Sequence, residues 1–200
     1  MLPEIFNGLG HVQQMKALYQ SVRQVHPFLV KWIEKDFSSE KIDNEFVMDM
    51  VLHALQFLEE AFVLSRDESL LLSSEHGINS SISDMEMITL WITECQTQRN
   101  LSRAEASIRA IGCLYRTIDA YYFENQTQTA GEIAGTALLA AFAGSGLVDE
   151  KTAANINELF VDRGVVTKQD WIEWDEITRE VGIDGAFKTF VKEHIRKAGA

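Results

Sequence analysis

Apolar side chains near the start of the chain recur with a helical beat. Val12, Met15, Tyr19, Val22, His26, Leu29 and Ile33 alternate spacings of three and four, which places them along one side of a helix. Leu18, Val25 and Trp32 widen that stripe to the width of a core face. Pro27 falls inside the run, where it removes a backbone donor and crowds the preceding turn. The register continues across it, so the pattern predicts a kinked helix, or two helices abutting near His26, over roughly 9–37.

A second helix is predicted from near Ser39, with Ile42, Phe46, Val47, Met50, Val51, Leu55, Leu58 and Phe62 on its main face. Met48, Leu52, Phe57 and Val63 occupy other sides, so its later half is expected to be covered nearly all round, His53 included in a structural role. Ser65–Ser83 begins apolar and ends in Gly, Asn and Ser, which reads as a fraying helix end and a loop. Two capping boxes then open helices. Ser83-Asp84-Met85-Glu86 precedes a seam of Met85, Ile88, Ile92 and Cys95, and Ser102-Arg103-Ala104-Glu105 precedes Ala104, Ile108, Ile111, Tyr115, Ile118 and Tyr122.

Residues 124–131, ENQTQTAG, are polar and unpatterned and read as a linker. An Ala/Gly-rich buried helix follows over 132–144. Gly146, Gly164 and Gly182 then recur at intervals of 18, each able to end a helix, with Asp149, Thr167 and Asp184 placed to cap the next. Three short helices result, with faces Ile156/Leu159/Phe160, Trp171/Trp174/Ile177/Val181 and Phe187/Phe190/Val191/His194. The expected fold is all-α: a multi-helix bundle with a compact three-helix C-terminal unit. It divides into an N-terminal bundle over 1–125 and a C-terminal unit over 130–200, or forms one continuous domain.

Composition sharpens this picture at few points. With 200 residues the chain has enough length to bury a core without staples, and two cysteines make no disulfide framework. A start without a basic segment and an apolar run, and a longest apolar stretch of only residues 133–148, point to a cytoplasmic protein away from membranes. Charge says more. The net charge is −12, and residues 34–94 hold fourteen acids against Lys35, Lys41 and Arg66. Residues 95–123 reverse the sign, with Arg99, Arg103, Arg109 and Arg116 against Glu105 and Asp119. An acidic total disfavours phosphate backbones as partners.

No catalytic, cofactor or metal signature emerges. None of His11, His26, His53, His76 and His194 follows a Glu at the spacing of di-iron bundles, and zinc and phosphate-loop layouts are missing. A helix, glycine turn and helix over 149–174 have the outline of a DNA-binding unit, but the second helix would present Asp170, Glu173, Asp175 and Glu176 to phosphate. Residues 138–160, LLAAFAGSGLVDEKTAANINELF, faintly resemble the tellurite-resistance TerB-like helical proteins. Ser145-Gly146 and Thr152 stand where that family has metal-binding acids, so the resemblance implies no metal here.

Two constellations remain. Arg109, Cys113 and Arg116 share a helix face, where two guanidiniums would favour a thiolate. The plainer alternative makes Cys113 a packing residue and pairs the arginines with acids of 34–94. Trp171 and Trp174, three apart among acids, suit either an anchor patch for a partner or the core of a small module. The sequence therefore points to a non-enzymatic acidic protein that binds another protein, as an immunity- or antitoxin-like inhibitor, a chaperone or an adaptor. Arg109, Cys113, Arg116, Trp171 and Trp174 are its candidate partner-binding residues, and a homo-oligomer is compatible with it. The alternatives are an enzyme or small-ligand binder with a pocket in the bundle, marked by a buried His53, Glu60 or Asp119, and a nucleic-acid binder using the basic 99–116 face.

Overall fold

A computed structural model describes residues 6, 8–35, 43–60, 75–94, 101–162 and 174–199. Among them are nine helices and no strand: α1 (His11–Arg23), α2 (His26–Lys35), α3 (Asn44–Glu59), α4 (Glu75–Glu94), α5 (Leu101–Tyr122), α6 (Thr127–Gly144), α7 (Glu150–Asp162), α8 (Trp174–Glu180) and α9 (Asp184–Ala198). The protein is all-α, as its periodicity predicts.

The Pro27 run resolves into two abutting helices, α1 and α2. Met15, Leu18, Tyr19, Val22, Val25, Leu29, Trp32 and Ile33 are all buried, so the seam holds its phase across the proline. The centre of the molecule is α6, buried along almost its whole length from Ala130 to Gly144. Its alanines and glycines let α5 approach closely. A Cβ added to Gly144 would lie 2.5 Å from Ser107 Oγ and 3.2 Å from the Ser107 backbone nitrogen. α5 packs on α6 along most of its length, and α1, α4 and α7 lie against α5. α9 lies against α1 and buries Phe187, Phe190, Val191 and His194, the face expected of it.

Buried hydroxyls and amides tie these layers together, as buried polar groups require. Tyr115 donates to the Ala54 carbonyl at 2.6 Å, joining α5 to α3. Tyr121 donates to Gln14 Oε1 at 2.6 Å, and Gln14 Nε2 donates to the Phe6 carbonyl at 2.8 Å. The His11 ring stacks on Tyr121 with centroids 4.2 Å apart.

Several expectations about boundaries are corrected. Residues 75–83 are helical, and Ser83 lies inside α4, its hydroxyl donating to the Asn79 carbonyl at 3.2 Å. The reason is burial: Ile78 and Ile88 are fully buried on one seam, and that gain outweighs the poor helix propensity of Gly77 and the serines. The second box is also rewired. The Ser102 N–H is met by Glu150 Oε1 from α7 at 3.1 Å, while Glu105 sits 3.4 Å from the Asn157 amide. A carboxylate at a helix N-terminus is favourable wherever it comes from in the chain.

The expected linker at 124–131 shrinks to a turn at 123–126, with Asn125 in the left-handed conformation (φ 54°) and residues 127–131 already in α6. Gly182 (φ 75°) ends α8 with the Ile183 N–H on the Thr178 carbonyl at 2.8 Å. Gly146 (φ 79°) ends α6, and Asp149 caps α7 through the Thr152 N–H at 2.8 Å. Asp184, by contrast, makes no cap and binds Lys188 Nζ at 2.7 Å. Gly164, Thr167 and the expected start of the second helix near Ser39 lie outside the described residues.

Candidate functional site

The Arg109–Cys113–Arg116 face is divided by its surroundings. Arg109 is only 9% exposed and donates through Nη1 to Asn157 Oδ1 of α7 at 2.6 Å. Asn157 in turn donates to the Ser102 carbonyl at 2.5 Å. Beside it, Arg103 Nη2 donates to the Val148 carbonyl at 2.8 Å, and its Nε lies 3.5 Å from Glu150 Oε2. Burial pushes Glu105 above the usual carboxylate range, Arg109 opposes that rise and Glu150 adds to it. Burial likewise pulls Arg109 down, against the pull of Cys113 and Glu105, although a guanidinium stays charged at neutral pH. This is an internal polar seam that fastens α5 to α7.

Cys113 is buried, and the thiol is pushed up to about 11 because burial outweighs both Arg109 and Arg116. At neutral pH it is a protonated packing residue, whereas an activated nucleophile needs a depressed thiol. Arg116 lies at the edge of the helix and forms an ion pair with Glu86 of α4. The expected neutralisation of the 34–94 acids therefore describes Arg116. Arg109 instead points into the seam with α7. Among the described arginines of the 99–116 stretch, Arg109 is buried while Arg103 and Arg116 are half-buried, so the three are not exposed together. Arg99, Cys95 and Trp171 lie outside the described residues, as does the side chain of Trp174.

The groups that would mark an internal pocket are not inside. His53 and Glu60 are exposed and Asp119 is half-buried. Among the described residues no group of three or more His, Cys, Asp or Glu is placed to hold a metal ion. None of their helices is long and apolar enough to cross a membrane. Among the described residues the buried histidine is His194, 1% exposed, with Nδ1 at 2.7 Å from the Phe190 carbonyl and Nε2 without a protein partner. Burial holds it below the usual histidine range.

The face that the sequence missed is the outer side of α3 and α4. α3 is not covered nearly all round: Phe46 is 55% exposed and Leu52 40%, and His53 and Gln56 face solvent. On α4, Leu90 is 61% exposed and Met87 41%. The two helices meet where the Phe46 and Trp91 rings lie 6.3 Å apart. Met87, Leu90 and Trp91 stand three and four apart, so Phe46 joins an apolar strip along α4. The charge on the two helices themselves has one sign. Neither helix contains a Lys or Arg, while α3 carries Glu45, Asp49 and Glu59, and α4 carries Glu75, Asp84, Glu86 and Glu94. Asp49 stands three residues from both Phe46 and Leu52. Large exposed apolar side chains clustered inside a polar rim are the usual mark of an interaction surface.

No protein family, no curated protein and no solved structure matches this chain.

Proposed function

We propose that this chain is a non-enzymatic acidic helical protein that acts by binding another protein through the outer face of α3 and α4. One observation carries the reading: Phe46, Met87 and Leu90 stay in solvent beside Trp91, on helices whose other exposed groups are largely acids and small polar residues. With 45 buried apolar residues among those described, the fold has core positions in plenty, so leaving these three outside costs stability that a partner would restore on covering them. An inhibitor of the immunity or antitoxin kind, a chaperone and an adaptor all work by such a surface.

The test is site-specific photocrosslinking in the native host. A benzophenone side chain at Leu90 is expected to give a discrete adduct of higher mass, whereas the same group at Lys192, on the exposed side of α9, is expected to give none of that mass. Equal adduct patterns at the two positions, or no adduct at Leu90, would reject this reading.

A further inference from the structure

We infer that the segment received by the α3–α4 face is a cationic amphipathic helix of the partner protein. This rests on the protein-binding reading above and adds the chemistry of what is bound.

The apolar requirement comes from Phe46, Met87, Leu90 and Trp91, which form one strip across the junction of two helices. A strip of that shape takes the large side chains of one face of a helix, spaced three and four apart. The cationic requirement comes from what borders it. Glu45 and Asp49 flank Phe46, and neither is in an ion pair among the described residues. Glu86 flanks Met87 and is already held by Arg116. The last turn of α4, which follows Trp91, contains no basic residue of its own, so a cation from outside the helix suits its negative end. Lys or Arg on the edges of a docked helix would meet Glu45 and Asp49 on one side and the end of α4 on the other.

Charge also excludes the other occupants. A second copy docking by the same face would set acid against acid across a two-fold axis. The basic helix of this chain, α9, already spends Phe187, Phe190 and Val191 on its own core and has no apolar face to offer. Nucleic acid and anionic lipid surfaces are disfavoured by two helices that carry acids and no Lys or Arg of their own.

The probe is a dye-labelled synthetic helix of about 18 residues, roughly five turns, with Leu and Trp on one face and Lys on the other. Two controls accompany it: a scrambled peptide of the same charge without an apolar face, and a version with Glu in place of Lys. Anisotropy with the full chain is expected to show binding of the first peptide only. Affinity should fall about tenfold on Leu90→Ser, and about tenfold on Glu45→Gln with Asp49→Asn, an effect that salt should mimic. Glu158→Gln with Glu193→Gln, exposed acids elsewhere, should leave it unchanged. Equal binding of the scrambled or the Glu peptide would overturn the inference. The crosslinked peptide at Leu90 separates the two levels. If it maps to a neutral or acidic partner segment, or to a second copy, the cationic helix is wrong and the surface stands. If no specific crosslink forms, both fall.

Discussion

Arg109 is the position where a single substitution tests the interior most directly. Replacing it with Met keeps much of the side-chain volume and removes the charge. Asn157 Oδ1 then loses its 2.6 Å donor, and Glu105, already raised by burial, loses the cation that opposes that rise. Removing one member of a buried charged network costs about 3–5 kcal/mol. For a chain of this size each kcal/mol moves the melting temperature by about 2–4 °C, so a drop on the order of 10 °C is expected. Circular dichroism at increasing temperature and urea titration both read it. Arg109→Met with Glu105→Gln should recover part of the loss, because the stranded carboxylate is gone. The pH dependence has a definite sign. A carboxyl raised in the folded state binds protons that the unfolded chain does not hold, so the variant's deficit should narrow as pH falls from 7 towards 4.5. A loss below about 1 kcal/mol, or a deficit that widens in acid, would refute the buried-network argument.

The exposed partner should behave differently. Arg116→Ala breaks a solvent-screened pair with Glu86 and should cost about 1 kcal/mol at most, less in high salt, by the same melting assay. In a Cys95→Ser background, a thiol reagent at pH 7.5 should label Cys113 only at the rate of unfolding, and rapid stoichiometric labelling of native protein would contradict its burial. Gly144→Ala should destabilise by about 1–3 kcal/mol through the clash with Ser107, and Ser107→Ala should restore part of it in the same urea titration. His194 and His26 are both held below the usual histidine range, so the unfolded chain takes up protons first. Stability should be full above about pH 6.5 and decline below it, and His194→Phe should flatten that slope in melts at pH 7 and pH 5.

How legible all this was depends on what decided each element. The α1–α2 seam was readable because nine apolar side chains repeat in phase, and a proline cannot disturb a phase that both helices share. The later part of α6, from Ile133 to Gly144, was readable because its small and apolar residues leave no charged side. α4 was misread because local composition around Gly77 and Ser83 speaks for a loop, while the deciding term is the full burial of Ile78, a tertiary effect that composition does not carry. Arg109 and Arg116 look alike in sequence, being on one face and seven apart. Their difference is set by which neighbour stands over each turn, α7 or α4, and no spacing in α5 contains that. The exposed strip was hidden for a related reason. Apolar residues on several sides of α3 predict a covered helix, yet a helix at the rim of a bundle leaves some of them in water.

The short turn between α5 and α6 has a consequence for how the molecule assembles. Residues 123–126 bring together the two helices with the most extensive contact while closing almost no loop, so the conformational cost of that pairing is small. The contact of α9 with α1 closes a loop of most of the chain and pays far more entropy before it gains anything. The α5–α6 hairpin is therefore the natural first scaffold on the folding route, and α4, which packs on α5 from the adjacent stretch of chain, joins it at a similarly small cost. α3, held at the rim by few contacts, is the element expected to shift or fray while that frame stays closed.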